Sequence, residues 1–409
     1  MSNQKNIKNI GIITSGGDCG GLNAVIRGVA LTALNRGLKS FIIPNGYAGL
    51  YNLVEFERLT ELDIDRIEKI DISVAGSEAG NSRVKISKIK DDHKYERIRD
   101  GLKKFNLDAL LIAGGDDTGS VVADLSSQGI SCIHIPKTMD LDLMTYSVGG
   151  DSTIQRIADF TRDLWTTGRT HNRIIVMEVF GRYAGHTAFR GGVAAGADAV
   201  LVPEIPVNFD FLYQFLRDRL FDRIKKSDVN AGAVMVVVAE GLRDASGKEL
   251  VDETEPPDSF GHYKLMGAGR YVVRQIEDRI HKDAQIGEFM KHTGQFVNGV
   301  YEIPEVRELR PGHLVRCGFT SPIDACFGLE VGAGAVHLAL EGIFGVTVAG
   351  ARDGKIQYMD IKEAIAQRVI NEDDIKIYES LGLCFGRPME SHSVRLQTEK
   401  ISGRPVRPY

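Results

Sequence analysis

"DALLIAGGDDTGS" (108–120) contains the pattern on which the fold prediction rests: an apolar run, a pair of glycines and then a polar segment. The run has the length of a buried strand, and Val121, Val122 and Leu125 then recur at helical spacing before Gly129. A strand, a glycine turn and a helix in this order form one βα unit, and such units build parallel sheets.

The same alternation extends over most of the 409 residues, with a second series of βα units that begins at Asp151, a residue type suited to capping a helix. It predicts an α/β protein of two related lobes with mostly parallel sheets and a cleft between them. Predicted strands span 9–14, 40–44, 108–115, 131–136, 173–181, 197–204, 233–241 and 345–350, and predicted helices begin near 22, 116, 151, 209 and 323.

The composition excludes several classes of partner. The net charge is −5, which gives no sign of binding to nucleic acid or to an anionic membrane surface. No apolar run approaches the roughly 20 residues that span a bilayer, and the amino terminus lacks a signal-peptide layout, so we expect a cytoplasmic protein. Five cysteines without a C-x-x-C pair favour buried, reduced thiols over disulfides or a zinc site.

A first glycine turn, "TSGGDCGGLNA" (14–24), separates a predicted strand from a predicted helix. Backbone N–H groups at such a turn attract phosphate oxygens. The turn matches neither G-x-G-x-x-G nor the P-loop, so a Rossmann dehydrogenase is disfavoured. A tight turn without a ligand remains the alternative.

The second glycine turn carries Asp116 and Asp117, although phosphates are themselves anions. A divalent metal explains a carboxylate beside a phosphate loop, because Mg²⁺ takes one or two carboxylates together with substrate phosphate oxygens. The alternative for Asp116 is a purely structural helix cap.

A third segment, "IPKTMDLD" (135–142), ends the next predicted strand. Asp140 and Asp142 alternate, so in an extended chain they share a face, while Lys137 and Thr138 offer a cation and a hydroxyl. A carboxylate near a metal-bound phosphate can take a proton from an attacking hydroxyl. The alternative is a capped turn with solvated acids.

Basic residues complete the candidate set. Arginine binds phosphate through two parallel hydrogen bonds, so several arginines near one site suit a phosphorylated substrate. Each arginine alone is typical of a protein surface, and a lone histidine is typical of a structural role. These residues are Arg83, Arg173, Arg182, Arg307, His313 and Arg316.

Together these segments resemble the phosphofructokinase family over most of the chain. The resemblance is carried by "GIITSGGDCGGLNAVIRGV", "NGYAGLY", "AGGDD", "PKTMDLD", "RIIVMEVFGRYAGHTA", "VPEIP", "VVVAEG" and "GHLVR". It implies two Rossmann-like lobes with mostly parallel sheets and the active site in the cleft between them. The lobe for the phosphate donor and Mg²⁺ would span 1–150 plus about 315–367, and the lobe for the sugar phosphate 151–314 plus about 368–409.

The resemblance also implies a role for each candidate residue. Gly17 and Arg83 would contact the donor, Asp116 would bind Mg²⁺, and Asp140 would deprotonate the 1-hydroxyl of fructose 6-phosphate. Arg173 would reach the sugar phosphate from a neighbouring subunit, which implies a homodimer or homotetramer. The sugar phosphate would be held by Thr138, Met139, Asp142, Phe180, Gly181, Arg182, Glu240, Arg307, His313 and Arg316.

Two positions indicate which phosphate donor the chain would use. Family members that use ATP resemble "GGDGS" in the second glycine turn, where this chain has Asp117 in place of the glycine that follows the aspartate. They also have glycine before the threonine of the segment that corresponds to "PKTMDLD", where this chain has Lys137. The pair resembles the pyrophosphate-dependent branch: Asp117 would exclude the α-phosphate of a nucleotide, and Lys137 would pair with the leaving phosphate. An ATP-dependent kinase and a non-catalytic sugar-phosphate-binding regulatory subunit remain the alternatives.

Three departures from the family pattern bear on sugar specificity. Leu141 replaces the usual asparagine, Phe180 replaces the usual methionine, and "VRCG" (315–318) replaces "QRGG".

Overall fold

The computed structural model describes residues 7–389 apart from 245, 253, 255 and 257–262. Its elements alternate between strands and helices, which confirms the predicted α/β class. The strands are β1 (Asn9–Thr14), β2 (Lys39–Ile42), β3 (Thr60–Glu61), β4 (Ala109–Gly114), β5 (Cys132–Pro136), β6 (Ile174–Val179), β7 (Ala199–Leu201), β8 (Val234–Ala239), β9 (Val251–Asp252), β10 (Lys264–Leu265), β11 (Val306–Leu309), β12 (Val346–Arg352) and β13 (Lys355–Asp360).

Helices connect most of these strands. Short 3₁₀ turns lie at Leu53–Glu55, Ile86–Lys88 and Gly312–Arg316. The α-helices are α1 (Leu22–Asn35), α2 (Gly46–Tyr51), α3 (Ile64–Glu68), α4 (Lys94–Lys104), α5 (Asp116–Ser127), α6 (Gly150–Thr170), α7 (His186–Ala194), α8 (Phe209–Lys226), α9 (Ala268–Ile280), α10 (Ala284–His292), α11 (Pro322–Leu340), α12 (Ile361–Ala364) and α13 (Glu372–Glu379).

The chain divides into two compact units. Unit 1 comprises the described residues of Met1–Thr153 and Arg316–Arg368, and unit 2 those of Ile154–Pro257, Tyr263–Val315 and Val369–Tyr409. Each unit therefore draws on chain segments that lie far apart in the sequence.

Unit 1 is built on a seven-stranded sheet with the order β13-β12-β5-β4-β1-β2-β3. Neighbours from β12 to β2 run parallel, and only the edge strands β3 and β13 are antiparallel. Every residue of β4 is buried, as expected for a strand covered on both faces. The connections leave in opposite directions between β1 and β4, and ligands bind beyond the carboxyl ends of strands at such a switch point.

Helix α11 packs against α1 in the core of unit 1. The two backbones approach so closely that a methyl group on Gly28 would collide with the Leu329 carbonyl, and one on Gly332 with the Val25 carbonyl. By length and composition alone α11 could cross a membrane, although Asp324 and Glu330 interrupt its apolar sequence. Nine of its residues are buried, as in a core helix.

Unit 2 is built on a four-stranded parallel sheet with the order β11-β6-β8-β7. All six residues of β8 are buried, and Leu216, Leu220, Val272 and Ile276 from α8 and α9 join the same core cluster. A separate antiparallel pair joins the two-residue strands β9 and β10.

Several local predictions differ from the structure. Helix α6 begins at Gly150, so Asp151 lies in its first turn rather than capping it. Cys317 and Cys326 are exposed, although buried thiols were expected; Cys19, Cys132 and Cys384 are buried, and all five are free. Strand β13 was not predicted because it is a largely exposed edge strand without an apolar face.

Candidate active site

The first glycine turn of unit 1 follows β1 and is fixed by neighbouring segments. The Ser15 N–H donates to the Ala113 carbonyl (2.9 Å) at the end of the adjacent strand β4. Gly16 has a φ of 82°, a left-handed conformation that favours glycine. Its N–H donates to the Ser82 carbonyl (3.2 Å), and its own carbonyl accepts from the Asn81 amide (3.1 Å).

The second glycine turn lies beside the first, because β4 pairs with β1. Helix α5 begins at Asp116, and Gly115 occupies the cap position without a side-chain cap bond. The cap interpretation of Asp116 was therefore wrong. Asp116 and Asp117 both lie in the first turn of α5, where the helix dipole stabilises negative charge.

His134 of β5 supports this second turn from within the core. The ring is fully buried, with Nε2 2.9 Å from the Gly114 carbonyl and Nδ1 3.0 Å from the Thr347 hydroxyl. Because a carbonyl only accepts, Nε2 carries the proton and Nδ1 accepts from Thr347. Burial lowers the pKa of His134 to about 4, so the ring is neutral at pH 7.

Lys137 follows β5 at the same end of the sheet. Its N–H donates to the Gly114 carbonyl (3.0 Å), and its buried ammonium donates to the carbonyl of Gly17 in the first glycine turn. Burial lowers the pKa of Lys137. One buried cation therefore joins the two glycine turns.

Asp140 and Asp142 follow in the same segment. Asp142 is buried and accepts from the Thr138 hydroxyl (3.2 Å), which in turn accepts from the Asp140 N–H (3.2 Å). Burial, and then the negative charges of Asp140 and Asp116, raise the pKa of Asp142 to about 7. Three carboxylates from two strand ends therefore act on one another.

Leu141 lies between the two acids with a φ of 56°, in the left-handed region. Asparagine tolerates this conformation better than leucine, which gives a physical reason for the residue that the family usually carries here. The Leu141 side chain is buried, and its carbonyl accepts from the Arg368 guanidinium (2.9 Å). The Arg368 N–H also donates to the Asp142 carbonyl (2.7 Å).

Asp324 of α11 anchors the chain just beyond this segment. Its fully buried carboxylate accepts from the Ser152 N–H (2.7 Å) and hydroxyl (2.6 Å), the Gly149 N–H (3.0 Å) and the Tyr146 hydroxyl (3.1 Å). These four bonds compensate for the burial of a carboxylate.

The remaining unit 1 candidates lie at or near the first glycine turn. The Arg316 guanidinium donates to the Asp18 carbonyl (3.0 Å) and contacts Gly17 so closely that a methyl group there would collide with it. Arg83 is exposed one residue beyond Ser82, whose carbonyl holds Gly16. Met139 is buried.

The acids of unit 1 suit a metal that is shared with a substrate. Within the described part of the chain, no three His, Cys, Asp or Glu side chains form a protein-only metal site. Mg²⁺ does not require one, since it takes one or two carboxylates and completes its shell with water and phosphate oxygens. Asp116, partly exposed at a helix N-terminus beside a glycine turn, fits this requirement.

In unit 2, three loops meet beyond the carboxyl ends of paired strands. The Glu240 N–H donates to the Val179 carbonyl (2.8 Å), which brings the loops after β6 and β8 together. Gly181 has a φ of 137° and faces the Ala184 carbonyl so closely that a Cβ would lie 2.8 Å from it. The Arg182 guanidinium donates to the Tyr263 carbonyl (3.1 Å).

Arg173 and Arg307 share one carboxylate within unit 2. Glu305 accepts from Arg173 Nε (2.7 Å) and from Arg307 Nη2 (2.7 Å). The hydrogen bonds from the two arginines lower the pKa of Glu305. Two of the predicted phosphate-binding arginines are thus held side by side.

His313 and Phe180 form an edge-to-face contact with ring centroids 5.7 Å apart. Beside them in the sequence lies an ion pair that the sequence analysis missed. Arg310, which is about half exposed, contacts the buried Glu178, whose other oxygen accepts from the Gly269 N–H (2.8 Å). Other residues with described partners that the sequence analysis did not single out include His134, Lys85, Glu305 and Asp324. Only the position of His134, within a predicted strand that ends at the site, could have drawn attention to it.

Comparison with known proteins identifies the family of the chain. The sequence profile of the family described as Phosphofructokinase matches residues 9–339. A pyrophosphate–fructose 6-phosphate 1-phosphotransferase of Dictyoglomus thermophilum is 32% identical over 92% of this chain and 99% of its own length. An ATP-dependent 6-phosphofructokinase of Chloroflexus aggregans is also 32% identical, over 92% of this chain and 97% of its own length.

Among solved structures, a pyrophosphate-dependent phosphofructokinase from Marinobacter aquaeolei has the same fold. It superposes with a TM-score of 0.68 at 20% identity and covers 97% of this chain and 98% of its own. The profile match and the full-length relatives lead to one conclusion: the chain belongs to the phosphofructokinase family.

Proposed function

We propose that this phosphofructokinase transfers a phosphoryl group from pyrophosphate to the 1-hydroxyl of fructose 6-phosphate. The observation that carries the proposal is the buried ammonium of Lys137 on the Gly17 carbonyl, between the two glycine turns. A fixed cation there stabilises the charge that develops on a leaving phosphate, a contribution of a few kcal/mol in related sites. Asp117, in the first turn of α5, supplies the bulk that an α-phosphate would meet.

Each of the other residues has a role in this reaction. Asp140 accepts the proton of the attacking hydroxyl, and Gly17 and Arg83 contact the donor. Asp116 would hold Mg²⁺, which neutralises phosphate charge when bound. The sugar phosphate is bound by Thr138, Met139, Asp142, Arg173, Phe180, Gly181, Arg182, Glu240, Arg307, His313 and Arg316.

The products are fructose 1,6-bisphosphate and phosphate, and the reaction is reversible because the free energies of substrates and products are close. We further propose a cytoplasmic homodimer or homotetramer, in which Arg173 serves the sugar phosphate of a neighbouring subunit.

A donor screen tests the proposal. Turnover is measured with Mg²⁺ and pyrophosphate, ATP or ADP, using fructose 6-phosphate and sedoheptulose 7-phosphate as acceptors. The proposal requires a kcat/KM for pyrophosphate at least about 100-fold above that for ATP, which corresponds to about 2.7 kcal/mol. A preference for ATP would instead support an ATP-dependent 6-phosphofructokinase, the activity named for the equally similar Chloroflexus relative.

A further inference from the structure

Lys85, which no sequence motif singled out, forms an ion pair with one of the two donor-determining residues. Its ammonium donates to Asp117 Oδ1 at 3.1 Å. The two side chains are 27% and 34% exposed, so the pair is half-buried rather than a surface contact. Both residues belong to unit 1.

The backbone around Lys85 is held at both ends. Asn81 and Ser82 bond to the first glycine turn, and Ile86, directly after Lys85, is fully buried in the core cluster. Lys85 itself is extended, with φ −107° and ψ 115°. The ammonium thus reaches Asp117 from a fixed segment, the same one that carries Arg83.

The pair resolves a difficulty in the donor assignment. A free charge on Asp117 would repel the α-phosphate of ATP, but it would repel pyrophosphate as well, because both donors are polyanions. Charge alone therefore cannot discriminate between them. Bulk can, since pyrophosphate has no group beyond its second phosphate.

We propose that Lys85 is a specificity-determining, positioning residue, which holds the Asp117 carboxylate and cancels its charge. Asp117 then excludes nucleotides by the space it occupies, without repelling pyrophosphate. This inference rests on the proposed function, because it assigns a reason for selectivity toward the donor. Lys85 acts through Asp117, and its effect disappears when Asp117 carries no charge.

A double-mutant cycle with Lys85→Met and Asp117→Asn tests the inference. Lys85→Met should raise the KM for pyrophosphate about tenfold, the effect of one half-buried ion pair, and leave the KM for fructose 6-phosphate unchanged. Lys85→Arg should retain a KM within about threefold of wild type, because it keeps the charge. In the Asp117→Asn background, Lys85→Met should change the KM less than twofold.

The matched control is Lys39→Met, which breaks the exposed Lys39–Glu61 pair of 3.0 Å in the same unit and should leave both KM values unchanged. The inference would be overturned if Lys85→Met raised the KM for pyrophosphate equally in the wild-type and in the Asp117→Asn background, because Lys85 would then act on the donor directly. A KM unchanged by Lys85→Met in the presence of Asp117 would also overturn it.

The donor preference of the wild-type enzyme separates this inference from the proposed function. If the wild type uses ATP and not pyrophosphate, the proposed function fails. The claim that Asp117 excludes nucleotides then fails with it, but the cycle measured with ATP still tests the other claim: non-additivity between the two substitutions shows that Lys85 acts through the charge of Asp117.

Discussion

Acidification is predicted to destabilise unit 1 through His134. Its neutral ring donates to the Gly114 carbonyl and accepts from the Thr347 hydroxyl, and both bonds are buried. Burial lowers its pKa to about 4 from the ordinary 6.5; the Gly114 carbonyl opposes this effect, and the charge of Lys137 adds to it. Protonation would place a second cation beside Lys137 and remove the acceptor for Thr347.

The magnitude follows from the difference between the folded and unfolded pKa values. The pKa of His134 is lower in the folded than in the unfolded chain, so the unfolded chain takes up the proton first as the pH falls. The contribution of His134 to the free energy of unfolding is therefore complete above pH 6.5 and decreases as the pH falls toward 4. Linkage gives a loss of about 2 kcal/mol at pH 5 and about 3 kcal/mol at pH 4 from this group alone.

Urea unfolding at pH 7, 6 and 5 measures this loss. His134→Gln keeps an amide donor but cannot titrate, so we expect a lower stability at pH 7 and a shallower pH dependence. The difference from wild type should shrink by about 2 kcal/mol between pH 7 and pH 5. The exposed His281→Gln control should follow the wild-type curve. Parallel curves for wild type and His134→Gln would refute the reasoning.

Four further outcomes are expected. Asp140→Asn should fold and bind sugar phosphate but lose about 10²–10⁴-fold in kcat, as for loss of a general base; a variant with more than half of the wild-type kcat would exclude that role. Asp117→Gly with Lys137→Gly should lower kcat/KM for pyrophosphate at least about tenfold, because a cation near the leaving phosphate is lost; an unchanged value in the same coupled assay would contradict the donor assignment. Glu305→Gln should raise the KM for fructose 6-phosphate about three- to tenfold at constant kcat, since the two arginines lose their shared anchor; initial-rate kinetics would count against this if the KM for pyrophosphate rose instead. Sedimentation at assay concentration should give a dimer or tetramer, and a fully active monomer would rule out a subunit-bridging role for Arg173.

The sequence was sufficient to predict the parallel strands and to predict that the polar candidate residues follow the carboxyl ends of these strands. A run such as "ALLIAG" is apolar at nearly every position because both faces of a central parallel strand are covered. Since the carboxyl ends of neighbouring parallel strands lie at one edge, the turns after β1, β4 and β5 could be grouped from the order of strands and turns along the chain.

The partners of the site residues could not be predicted in this way. Lys85 and Asp117 are 32 residues apart, Asp324 and Ser152 are 172 apart, and Arg368 and Leu141 are 227 apart. Such contacts depend on how irregular segments and distant helices pack, and no short-range periodicity encodes them. The cap interpretation of Asp116 failed for a related reason: a one-residue shift in the start of α5 decides whether a side chain caps the helix or lies in its first turn.

The close crossing of α1 and α11 has a consequence for the order in which the chain folds. The face of α1 that carries Gly28 is synthesised about 300 residues before the helix that covers it, which at roughly 5–20 residues per second is a delay of about 15–60 s. Most of unit 2 lies between these two helices in the sequence and has its own core, so it can fold during that interval. The first part of unit 1 must meanwhile keep an apolar helix and the open edge of β5 from associating with other chains. Truncated chains that end before residue 322 are therefore expected to aggregate through the uncovered face of α1 and to bind chaperones.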